Sequence, residues 1–143
     1  MRAVAALLLA VLATALPAVA APADTPRAIE KLKVIVRTGD DFGASTDEAV
    51  WFSLGPSYEW TLATPGRQPF KNGASDTFQL PPQGLRVDDI KYIRLRKSQG
   101  DDWLLRGIEV WIDGRPYYRN DEINLWLEGS RDSWSAPARE HGR

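Results

Sequence analysis

The stretch Ile108-Glu109-Val110-Trp111-Ile112-Asp113-Gly114-Arg115-Pro116-Tyr117-Tyr118-Arg119 decides the fold class. Ile108, Val110 and Ile112 alternate with Glu109 and Trp111, the period of a half-buried strand. Asp113-Gly114 then offers two residues that tolerate positive φ, as a tight two-residue hairpin requires, and Arg115 to Arg119 reads as the returning strand.

The same period extends outward in both directions. Leu32, Val34 and Val36 alternate with Lys31, Lys33, Ile35 and Arg37; Val50, Phe52 and Leu54 alternate with Trp51 and Ser53. Tyr58, Trp60 and Leu62 follow, then Phe78 and Leu80, then Ile93 and Leu95 between Tyr92, Arg94 and Arg96. Gly and Pro separate these runs. A helical period is absent except for a single turn read around Asn120 to Leu127. The pattern predicts an all-β, eight-stranded antiparallel β-sandwich.

The flanks read differently. Met1-Arg2 leads into the apolar run Ala3 to Leu16, followed by Pro17 and Ala18-Val19-Ala20, the pattern of a secretory signal peptide cut after Ala20. Residues 21–30, with Pro22 and Pro26, read as an exposed leader, 31–134 as the sandwich, and 135–143 as a flexible tail. The expected location is outside the cytoplasm, periplasmic or extracellular.

The whole chain carries 18 basic and 19 acidic side chains. Loss of Arg2 with the leader leaves 17 against 19, a charge of −2, so no basic excess points to nucleic acid. With no cysteine, disulfides, thiol catalysis, thiolate zinc sites and iron–sulfur clusters are excluded. The single histidine, His141, lies in the tail, which leaves no histidine-based activation of a nucleophile within the sandwich. Adjacent Asp residues on a strand project to opposite faces and do not converge on one bond. The expectation is a binding module, not an enzyme.

The loop Thr38-Gly39-Asp40-Asp41-Phe42-Gly43-Ala44-Ser45-Thr46-Asp47-Glu48 concentrates carboxylates among glycines and small residues, a composition that suits either an acidic turn or an oxygen-ligated calcium ion. Taken with Gly73-Ala74-Ser75-Asp76-Thr77-Phe78, Asp88-Asp89-Ile90, the run Trp103 to Val110 and the ending Asn120 to Gly129, all in one order, it resembles a PLAT (lipoxygenase homology) domain. Within that family the likeness is to the C-terminal, calcium-dependent membrane-binding domain of clostridial alpha-toxin phospholipase C.

The resemblance implies a calcium site at one end of the sandwich, with Gly43, Ser45, Asp101 and Asp102 at the family's ligand positions and Thr46 and Asp47 beside them. The toxin domain has a carboxylate where this chain has Gly43, so the affinity implied is weak, ligand charge being a main determinant. A further family site falls on Ala63 and Gln68, with Arg67 adjacent, and is read as absent. Asp76 and the Asp88-Asp89 pair are read as braces for the strands they precede. Phe42 and Trp103 are the aromatic candidates for membrane contact, Phe42 being the better placed.

The partner implied is a phospholipid membrane surface or an exported protein. Two readings from other classes stay open: a carbohydrate-binding sandwich using outward tryptophans such as Trp51 and Trp111, and a protein-docking sandwich presenting them with Arg94, Arg96 and Lys97.

Overall fold

The computed structural model describes residues 27–138; the leader read over 1–20 and His141 lie outside them. Among the described residues nine strands run in the order β1 (Leu32–Thr38), β2 (Val50–Ser53), β3 (Glu59–Thr61), β4 (Ser75–Leu80), β5 (Tyr92–Lys97), β6 (Trp103–Ile112), β7 (Arg115–Asn120), β8 (Leu125–Leu127) and β9 (Ser133–Pro137), with a 3-10 turn at Val87–Asp89. One sheet has the order β4-β1-β6-β7, with β8 also on β6; the other has the order β3-β2-β5-β9. Every pairing is antiparallel.

Alternation sets the register. Leu32, Val34 and Val36 sit opposite Ile112, Val110 and Ile108, so each pair places two apolar side chains on the inner face. Phe52 and Leu95 do the same across β2 and β5. The inner faces of the two sheets form one core, in which Phe52, Ile93, Leu95, Leu105, Ile108 and Leu127 are inaccessible to solvent. The hairpin closes at Asp113-Gly114, both with positive φ (49° and 78°), with Ile112 opposite Arg115.

Three expectations need correction at the edges. Ile29, read as part of an exposed leader, is 4% exposed, and Ala28 bridges to Arg86. The strap holds because the Asp113 carboxylate, freed by its turn, accepts the N–H groups of Glu30 and Lys31, both at 2.9 Å. At the other end β9 pairs with β5 out to Tyr92 opposite Pro137, so Ser135 to Pro137 belong to the sandwich. The turn of helix read at Asn120–Leu127 is instead a bend followed by the short strand β8, since Leu125 and Leu127 reach the core by pairing with β6.

The register between β6 and β1 shifts once. Arg37 lies opposite Gly107 but Thr38 lies opposite Leu105, so β6 carries one residue more than its partner at Arg106. Ile108, Val110 and Ile112 face the core on one side of this bulge and Trp103 and Leu105 on the other. Simple alternation carried back from Ile108 would have turned Trp103 outward.

Candidate functional site

Three connections meet where β1 and β5 end and β6 begins: the loop 39–49, the loop 62–74 and the short connection 98–102. Backbone hydrogen bonds tie them. Gly39 N–H donates to the Leu104 carbonyl (2.9 Å), Leu104 N–H to the Ala44 carbonyl (3.1 Å), Thr46 N–H to the Phe70 carbonyl (3.1 Å), and Gly73 N–H to the Gly39 carbonyl (2.9 Å). Phe70, 1% exposed, is the plug beneath them, its ring 5.1 Å from Trp103 and 5.7 Å from Phe78. Its positive φ of 63° is held by Asp76, whose buried carboxylate accepts the Phe70 N–H (2.9 Å) and faces Arg67 at 3.4 Å. Asp76 is thus a brace. Asp89 is another, accepting the Arg86 N–H at 3.0 Å.

Of the residues singled out as calcium ligands, the structure brings Thr46, Asp47 and Asp101 together. The Asp101 carboxylate accepts the Thr46 hydroxyl on one oxygen and the Asp47 N–H (3.1 Å) on the other, across 55 and 54 residues of sequence. Thr46 is 1% exposed, and its hydroxyl oxygen also accepts the Glu48 N–H at 3.1 Å. Gly43, at φ 76°, and Ser45 are exposed on the same loop, and Asp102 is exposed beside Asp101. Among the described residues no three His, Asp or Glu side chains converge as a ligand group.

A second carboxylate joins the two loops and was missed in sequence. Glu48 accepts the Ser98 hydroxyl at 2.7 Å, and a Cβ on Gly100 would fall 1.8 Å from its Oε1, so the glycine makes room for it. The only trace in the chain is the position of Glu48 at the close of the acidic loop; its partner lies 50 residues on.

The two aromatic candidates separate. Phe42 is fully exposed (101%), the exposed large hydrophobic of the described residues, on a turn closed by the Ala44 N–H on the Asp41 carbonyl (3.0 Å). Trp103 is 0% exposed and donates its indole N–H to the Thr38 hydroxyl at 3.0 Å, so it cannot contact a membrane. The bulge at Arg106 is the cause, because it turns Trp103 inward.

The outward tryptophans read for sugars or proteins each have a cation beside them. Arg96 lies 4.1 Å over the Trp51 ring and Lys33 lies 4.5 Å over Trp111, so one face of each ring already carries a cation. Lys97 is 1% exposed with its ammonium on the Ser98 carbonyl (3.0 Å), so it is not part of an outer basic face.

Two antiparallel sheets, with a braced loop cluster at one end and an exposed aromatic upon it, define the architecture. The chain belongs to the PLAT/LH2 domain family, whose model matches residues 32–134. It is 32% identical over 112 residues to a phospholipase C of Clostridium novyi and 33% identical over 112 residues to one of Clostridium perfringens, in each case over 71% of this chain and 28% of the relative. It therefore spans less than a third of the curated relatives it matches.

Among solved structures, the alpha-toxin of Clostridium perfringens avian strain SWCP superposes with a TM-score of 0.66 at 28% identity, covering 81% of this chain and 33% of that one. Coral 8R-lipoxygenase, described as activated by calcium through a C2-like domain, shares the fold, with a TM-score of 0.62 at 21% identity over 77% of this chain and 17% of the enzyme.

Proposed function

We propose that the chain is an exported, non-enzymatic module that attaches to a phospholipid surface by the Phe42 end of the sandwich, with calcium strengthening the attachment. The observation that carries this reading is Phe42 itself: a wholly exposed aromatic on a loop whose base is pinned to two neighbouring loops. Exposing a phenyl ring costs solvation free energy, about 1.5–3 kcal/mol relative to burial, which is recovered when the ring enters the headgroup region. The relatives support it by their chemistry, a phospholipase C and a lipoxygenase both having lipid substrates.

Calcium fits the donors in kind. Asp101 has one hydrogen bond on each oxygen and keeps lone pairs on both; Asp47 and Asp102 add carboxylates, and Gly43 and Ser45 add carbonyl oxygens. Thr46 is better described as the clamp that aims Asp101, its hydroxyl being engaged. Bound calcium would supply positive charge between these oxygens and lipid phosphate. The donor set is short of anionic ligands, so the affinity belongs at the weak end of the range for oxygen sites.

The test is cosedimentation of the full chain with mixed phosphatidylcholine–phosphatidylserine vesicles, with calcium or with chelator. Wild type pellets with vesicles, more so with calcium; Phe42→Ser loses most of the binding in both conditions, and Asp101→Asn/Asp102→Asn loses only the calcium increment. Absence of wild-type pelleting in both conditions, or equal pelleting of Phe42→Ser, overturns the proposal. Calcium-independent retention on a polysaccharide column in that case would favour a sugar ligand.

A further inference from the structure

Asp40 and Asp41 border, with the connection between β7 and β8, a groove of about 620 Å³ whose lining includes Arg106, Glu122, Asn124 and the half-exposed indole of Trp126 but not Asp101. Its walls are fixed. A Cβ on Gly39 would meet Leu104 Cδ2 at 2.3 Å, and one on Gly107 would meet Asn120 O and Asp121 Cα at 2.9 Å, so both walls approach β6 only because these positions lack side chains. The Arg106 carbonyl accepts the N–H groups of Ile123 (3.0 Å) and Asn124 (3.4 Å), holding the β7–β8 connection against β6.

The charges are distributed unevenly. Asp121 is consumed: Arg37 donates to one oxygen and Arg119 to the other, each at 2.7 Å. Arg106 is the extra residue of the β6 bulge, turned out of the ladder, exposed, and in no ion pair among the described residues. Asp40, Asp41 and Glu122 are likewise exposed and in no ion pair among the described residues. The groove therefore offers one guanidinium, three carboxylates and an aromatic ring. A simple anion would meet the carboxylates, a metal cation would meet Arg106 and leave the indole unused, and a neutral sugar would leave charges of both signs unanswered.

We propose that this groove binds a zwitterion that joins a phosphate to a quaternary ammonium, of the phosphocholine type. The ammonium lies against the Trp126 indole and the carboxylates, where cation–π and Coulomb attraction add, and the phosphate lies on Arg106 through charge-assisted hydrogen bonds. The inference deepens the lipid-surface reading and rests on it for the source of the ligand, since Asp41 precedes Phe42 and a bilayer reached by Phe42 would bring headgroups to the groove.

The experiment titrates the full chain with phosphocholine, choline and inorganic phosphate separately, all with chelator, following amide and indole N–H resonances by NMR. Phosphocholine binds at least about tenfold more tightly than either half, and Arg106→Gln and Asp41→Asn, both at exposed positions, each weaken it about tenfold. No perturbation at tens of millimolar, variants that bind as wild type, or equal binding of choline alone overturns it.

Vesicles separate the two sources. In chelator, wild type pellets more with phosphatidylcholine than with phosphatidylglycerol, and Arg106→Gln loses the preference. Pelleting without preference and unchanged by Arg106→Gln overturns the headgroup inference while leaving the membrane reading standing. Binding of free phosphocholine without vesicle pelleting upholds the groove and sinks the membrane reading.

Discussion

Asp121 is the residue whose electrostatics reach furthest, for it links β1, β6 and β7 through Arg37, Arg119 and their shared neighbour Glu109. The hydrogen bond from Arg119, with the positive charges of Arg37, Arg119 and Arg106, holds its carboxyl below the ordinary carboxylate range, and the same contact raises Arg119. A folded-state value below the unfolded one means stabilisation that is complete above about pH 4 and is lost as the pH falls through the depressed value. Asp121→Asn should lower the melting temperature at neutral pH, and the gap from wild type should close as melts are taken to more acid conditions. Glu109 makes a stronger case. It is 6% exposed and relies on Arg37, with Arg119 second at 3.8 Å, so Arg37→Leu should cost about 2–4 kcal/mol by leaving a buried carboxylate poorly paired. Chemical denaturation of Arg37→Leu against Arg37→Leu/Glu109→Leu checks this, with the double variant recovering part of the loss.

At the scale of elements, the bulge in β6 does more than bend a strand. By adding Arg106 it reverses which residues face the core, seats Trp103 and Leu105 inside, and brings the β7–β8 connection onto Gly107. Backbone, not a flexible side chain, occupies the space a Cβ at Gly107 would need. Gly107→Ala should therefore destabilise by about 1–3 kcal/mol in urea unfolding, in the range of overpacking changes, and displace the Asp121 loop. Gly107 inside the run Leu105 to Ile108 is the one local sign of a bulge, but the change of phase itself depends on Arg37 and Thr38 pairing on either side of it.

The molecule as a whole is a sandwich with one end assembled from loops braced by Phe70, Asp76 and Asp101. Calcium bound only by the folded arrangement must raise its stability. At ten times the dissociation constant the gain is about 1.4 kcal/mol, visible as a rise in melting temperature that Asp101→Asn/Asp102→Asn should abolish. Equal melting temperatures of wild type with calcium and with chelator, over the concentrations at which vesicle binding responds to calcium, would place the metal effect on the lipid and not on these loops.

The local sequence by itself determined the strands β1 to β7, because alternation of apolar side chains is an intrinsic demand of a half-buried sheet, and it determined the Asp113-Gly114 hairpin, because few residue pairs accept two positive φ values. It also marked the acidic loop, since carboxylates near glycine suit both turns and cations, while Asp101 and Asp102 became candidates only through the family resemblance. Tertiary structure decided the rest. It joined Thr46 and Asp47 to Asp101 and Glu48 to Ser98, buried Trp103, left Phe42 in solvent, docked Ile29, and set Asp40 and Asp41 opposite Trp126. These outcomes depend on pairings between segments about 50 or more residues apart and on a one-residue slip in register, and no local pattern of side chains encodes either.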